Sequence, residues 1–143
     1  MRELTILVLE DYFALQRQLV NFIESMNHKA IGVGTAPTAM AILTNVHVDA
    51  MILDCFIKEG DKFAKEGGFS LITRVRRKLT QDIRCDPKTP IMVISGGVEI
   101  PGGYSPLRTA RDLGADVCMK KPVDLQEIAA WVSEIEADLV HPN

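Results

Sequence analysis

Leu4-Thr5-Ile6-Leu7-Val8-Leu9-Glu10-Asp11 opens the chain with an apolar run that ends in two carboxylates, and the same plan recurs downstream. Ala50 to Leu53 runs into Asp54, Ile91 to Ile94 runs into Ser95, and Ala115 to Met119 leads to Lys121-Pro122. A fifth apolar run covers Ala30 to Val33. Short, continuously apolar runs suit strands buried on both faces, as in a parallel sheet.

The segments between these runs have helical period. Leu15, Leu19, Phe22, Ile23 and Met26 form one stripe, and Leu125, Ile128, Ala129, Val132, Ile135 and Leu139 form another. A second helix is expected from about Thr35-Ala36-Pro37 and a third over Phe69 to Leu79. A fourth opens at Ser105-Pro106, where Ser can cap and Pro suits the first turn, and stops at Gly114. Strands alternating with helices specify an α/β domain with helices on both faces of a doubly wound parallel sheet. Two connections are longer than such a fold needs, Lys58 to Gly67 and Gly96 to Tyr104, and both follow strand ends. A more basic stretch, Arg76 to Lys88, falls on the opposite side.

Residues 1–143 are enough for one hydrophobic core, so a single domain without an output module is expected. A formal charge of −3 recommends neither nucleic acid nor an anionic membrane as a partner. No apolar run approaches the roughly 20 residues that span a bilayer, and Met1-Arg2-Glu3 does not begin a signal peptide. The expected location is cytoplasmic. Cys55, Cys85 and Cys118 are odd in number and lack metal-site spacing, so they are expected as reduced, packed thiols.

Ligands of open parallel sheets bind beyond the carboxyl ends of the strands. Glu10, Asp11, Asp54, Ser95 and Lys121 all follow such ends. Singly, each has a plainer reading: Glu10 or Asp11 could cap a helix, Asp54 a turn, and Lys-Pro is common at surface turns. Jointly they demand a counter-charge. Carboxylates about 4 Å apart repel by roughly 4 kcal/mol per pair at an effective dielectric near 20. A hard divalent ion, Mg²⁺, suits an all-oxygen site that also receives a phosphate. Asp54 could then attack a phosphoryl donor, with Lys121 pairing a phosphoryl oxygen and the Ser95 hydroxyl donating to the same group.

The motifs LVLED (Glu10, Asp11), MILDC (Asp54), MVISG (Ser95) and GADVCMKKP (Lys121-Pro122) resemble the receiver domain of bacterial two-component response regulators, over nearly the whole chain. The resemblance implies a flavodoxin-like (βα)5 fold with strand order 2-1-3-4-5. It implies a phosphoacceptor at Asp54 that is charged by a sensor histidine kinase or a histidine phosphotransfer protein and read by a downstream protein. Catalysis would extend only to the chain's own phosphorylation and dephosphorylation. It implies Mg²⁺ on Glu10, Asp11, Asp54 and the backbone carbonyl of Phe56. It further implies a signalling surface, and a possible homodimer, through the fourth helix, fifth strand and fifth helix, and a Lys121-Pro122 bond that is commonly cis.

Cys118 stands where receivers carry a Tyr or Phe that rotates on activation, so readout is expected through Ser95 and the glycine-rich loop after it. Lys58 replaces a usual Pro, and charged residues are inserted behind it. The alternative function is a degenerate receiver that binds a partner independently of phosphorylation. A phosphatase is disfavoured because Phe56 stands where its second carboxylate belongs. An FMN site is disfavoured because acidic strand ends repel the flavin phosphate.

The phosphorylated form should be long-lived. Phe56 and Gly97 normally border the path of the hydrolytic water, and neither can orient it. Replacing both, Phe56→Asn with Gly97→Glu, should speed loss of phosphate, since general-base help is worth roughly 10² to 10⁴ in rate. Equal decay of wild type and double variant would refute this control.

Overall fold

The computed structural model describes residues 2–55, 58–59, 62–63, 67–78, 82–96 and 105–140. Strands β1 (Thr5–Leu9), β2 (Lys29–Val33), β3 (Ala50–Asp54), β4 (Ile91–Ser95) and β5 (Val117–Lys120) build one parallel sheet in the order β2-β1-β3-β4-β5. This is the flavodoxin-like order. Helices α1 (Phe13–Ser25), α2 (Ala36–Asn45), α3 (Gly68–Arg77), α4 (Pro106–Leu113) and α5 (Leu125–Val140) cover it.

Alternation along each strand divides the core in two. Leu7, Leu9, Met51, Leu53, Ile91 and Val93 pack with α2, α3 and α4 through residues such as Leu43, Leu71, Ile72 and Ala110. Ile6, Val8, Ala50, Ile52, Met92 and Ile94 pack with α1 and α5 through Leu19, Ile23, Ile128, Trp131 and Val132. A strand apolar at every position is therefore the signature of two covered faces, and β3 and β4 are buried at all five of theirs.

Capping follows local chemistry. Thr35 accepts from Thr38 N–H ahead of α2, Ser105 accepts from Arg108 N–H ahead of α4 at 3.3 Å, and Gly114 ends α4 at φ 119°. All three cysteines are free, with Cys55 and Cys85 buried.

Several sequence expectations are corrected. The third and fourth strands each extend one residue further, to Asp54 and Ser95, because the ladder continues through Asp54 opposite Ile94 and Ser95 opposite Lys120 despite their polarity. The fifth begins at Val117 rather than Ala115. Asp116 is spent before it, its N–H donating to Ile91 O at 2.9 Å and its carboxylate accepting from Ile91 N–H at 2.8 Å. Leu139 is 38% exposed, since the last turn of α5 runs past the sheet, and Trp131 joins the core instead. The third helix starts at Gly68 and ends at Arg77, with Leu79 outside the described residues. In the long connection after β3, Lys58–Glu59 pairs antiparallel with Lys62–Phe63, a ladder that apolar periodicity did not predict. Phe56, Gly97 and most of the loop to Tyr104 lie outside the described residues.

Arg76, in the basic stretch, ties together the sheet end opposite the carboxylates. Its guanidinium donates to Gly114 O at 2.9 Å, Pro87 O at 2.9 Å, Thr89 O at 2.7 Å and Asp116 Oδ2 at 2.8 Å. One planar fork thus joins α3 to the turn after α4 and to the approaches of β4 and β5. Arg76→Met keeps the stem and removes the donors. The expected loss is about 2 kcal/mol, read as a lower urea midpoint with unchanged slope.

Candidate functional site

Every candidate side chain named from the sequence comes from a strand end or the residues just beyond. Glu10 follows β1 and is fully buried; Asp54 ends β3 at 4% exposure and Ser95 ends β4 at 3%. Asp11 and Lys121 are half-buried. The helix that follows the acidic pair has Tyr12, not Glu10 or Asp11, at its N-cap position. α3 begins directly against Asp54, since Gly68 packs on the Asp54 carbonyl where any Cβ would collide. The Lys121-Pro122 bond is cis, and Lys121 N–H donates to Ser95 O at 2.9 Å, tying the lysine to the end of β4.

Lys121 Nζ lies 2.7 Å from Glu10 Oε1 and 3.1 Å from Asp54 Oδ2. Burial works against its charge, but hydrogen bonding and attraction from Glu10 and Asp54 prevail and hold the ammonium above its ordinary range. One ammonium cannot balance two carboxylates. The deficit appears at Glu10, whose carboxyl is pushed up to about 8, chiefly by burial and then by its hydrogen bond to Asp54. Glu10 Oε2 is the buried side-chain oxygen without a hydrogen-bond partner among the described residues.

Glu10, Asp11 and Asp54 each place one carboxylate oxygen within 4.8 Å of the other two. An oxygen-only donor set and an orphaned buried oxygen fit a hard divalent cation such as Mg²⁺. The site thus brings together five of the six residues singled out from sequence; Phe56 lies outside the described residues. Cys55, beside Asp54, is kept a neutral thiol, since burial pushes it up to about 12 against the opposing effect of a hydrogen bond with Ser95. Cys118 donates its thiol to Leu107 O at 3.3 Å, so a thiol occupies the seam between β5 and α4 where the family resemblance would have an aromatic ring. Sequence reasoning did not single out the exposed Tyr12 and Phe13 beside the acidic pair, or the buried Gln16. Gln16 carried a signal, as a polar residue within the apolar stripe of α1.

No protein-family model and no curated protein matches the sequence. Solved structures match by shape. A two-component response regulator from Clostridium difficile superposes with a TM-score of 0.75 at 17% identity, over 96% of this chain and 98% of that one. A CheY-like response regulator receiver domain protein from Methanospirillum hungatei gives 0.74 at 16%, over 95% and 96%. The chain has the receiver-domain fold. Receiver domains also occur among these neighbours inside a kinase, as in the signal transduction histidine kinase from Syntrophus aciditrophicus, whose receiver matches with a TM-score of 0.73 at 18% identity, over 98% of this chain and 95% of that one. At such identities the likeness concerns the fold, and chemistry has to be argued from the site. Among the described residues of this receiver fold, no helix is long and apolar enough to cross a membrane.

In EDTA the folded chain holds a proton on Glu10 that the unfolded chain has lost, between the ordinary value of 4.5 and about 8. Stability therefore falls as pH rises through that window. Glu10→Gln should remove this part of the slope, which amounts to at least about 1 kcal/mol, or roughly 2–4 °C in Tm. Parallel Tm–pH curves for the two proteins in EDTA would contradict the raised value.

Proposed function

We propose that the chain is a phosphoacceptor signalling switch of a two-component phosphorelay, with Asp54 as the acceptor. The observation that carries the reading is the convergence of Glu10, Asp11 and Asp54 on one point, with Lys121 bridging two of them and Glu10 Oε2 without a hydrogen-bond partner among the described residues. A cluster short of positive charge favours arrival of a cation and then of a phosphoryl group bound to it.

In this reading Glu10, Asp11 and Asp54 hold Mg²⁺, with the Phe56 carbonyl as the further ligand that the family resemblance implies. When bound, the ion neutralises charge on the transferring oxygens. An Asp54 oxygen attacks phosphorus as the bond to the donor breaks, and the electron pair leaves with the donor. A phosphohistidine on a sensor kinase or a histidine phosphotransfer protein suits, because imidazole is a competent leaving group. Lys121 already lies 3.1 Å from Asp54 and exchanges a carboxylate for a phosphoryl oxygen with little movement. Ser95 ends the neighbouring strand, so its hydroxyl can turn toward the new phosphoryl group.

Each chain modifies itself and turns over no external product, so the protein is a switch rather than an enzyme. A downstream protein, reached through the α4, β5 and α5 surface, reads the change, and a second copy is a candidate occupant of that surface.

Incubation with Mg²⁺ and acetyl phosphate should add one phosphoryl group, measured by intact mass. Asp54→Asn and EDTA should each abolish it. Labelling that persists in EDTA or maps away from Asp54 would refute the mechanism, and failure of the wild type to label would favour a phosphorylation-independent binding module.

A further inference from the structure

The buried face of α1 consists of Gln16, Leu19, Val20 and Ile23, so a carboxamide sits at a position that packing alone would fill with hydrocarbon. Burying an amide is costly unless its hydrogen bonds are made. Gln16 Nε2 donates to the Glu10 carbonyl at 2.9 Å in buried surroundings. On the other side of the same residue, Glu10 N–H donates to Val33 O of β2 at 3.0 Å. Both peptide groups flanking the Glu10 Cα are thereby held, one by the sheet and the other by α1.

The peptide that Gln16 grips joins Glu10 to Asp11. Its orientation sets the direction in which both carboxylates leave the backbone. The amide has little freedom to bond elsewhere, because β2 crosses behind it. Gly32 lies opposite Val8 in register, and a Cβ there would come within 2.7 Å of Gln16 Oε1 and 3.0 Å of Val20 Cγ2.

We infer that Gln16 is the positioning residue of the Glu10–Asp11 pair, aiming both carboxylates at a divalent cation, and that Gly32 is the space that lets it do so. The inference rests on the cation-binding reading proposed above. Gln16 touches neither cation nor phosphoryl group. It acts through the backbone, and groups that orient metal ligands in this indirect way typically govern affinity by 10- to 100-fold.

The test is a calorimetric titration of the full chain with Mg²⁺, beside urea unfolding in EDTA. Gln16→Met preserves bulk and removes the donor, and should raise the Mg²⁺ Kd at least about tenfold. Gln18→Met, on the exposed side of α1, is the control and should leave it unchanged. Gly32→Ala leaves Gln16 in place but crowds its amide, so it should also weaken binding, and it decides the matter should Gln16→Met fail to fold. A merely structural amide would lower the urea midpoint in EDTA and leave Kd untouched. Wild-type binding with an unchanged Kd in the folded variants therefore overturns this inference alone. A wild type that binds no Mg²⁺ overturns the proposed function and the inference with it.

Discussion

A single ammonium group spans two buried carboxylates, and the carboxyl edge of the sheet is organised around that imbalance. Lys121 arrives from beyond β5 to meet Glu10 beyond β1 and Asp54 at the end of β3, residues 111 and 67 positions away. Without Lys121 the two acids would repel each other in a space that excludes water. With it, a second negative charge would still lack a counterpart, and the imbalance is relieved by a proton that Glu10 holds up to about 8. The same contact thus holds the two acids together and leaves their charges unequal to its own.

The sheet makes this arrangement possible. Parallel strands in the order β2-β1-β3-β4-β5 bring the ends of β1, β3, β4 and β5 to a common edge. Apolar packing buries both faces of the sheet, while the acids stand just where the ladder stops. The opposite edge has its own charged knot in Arg76 and Asp116, which joins α3, the turn after α4 and the approaches of β4 and β5. The two ends differ in kind. Arg76 is matched by carbonyls and a carboxylate, whereas Lys121 is outnumbered.

The seam between α4 and β5 departs most from the resemblance that the motifs carry. A thiol at Cys118 bonded to the Leu107 carbonyl gives this seam a short tie rather than a bulky ring. Beside Asp54, the Cys55 thiol shares a hydrogen bond with Ser95.

The alternation of apolar runs with amphipathic segments was enough to determine the α/β class, and the polar residues closing four of the five runs were enough to nominate Glu10, Asp11, Asp54, Ser95 and Lys121. Both are local signals, because burial on two faces requires an uninterrupted apolar strand and a polar side chain at its end is free to leave the sheet. Strand limits were less legible. Asp54 and Ser95 stay in the ladder because their neighbours continue it, and Asp116 leaves β5 because it caps Ile91. Tertiary structure alone decided that Leu139 runs past the core while Trp131 fills it, since helical period does not say where the underlying sheet ends. It alone decided that Lys121 bridges Glu10 and Asp54, that one oxygen of Glu10 has no hydrogen-bond partner among the described residues, and that Gln16 grips the peptide between the acids. Those relations depend on distances between segments remote in sequence, and such distances exist only once the sheet has assembled.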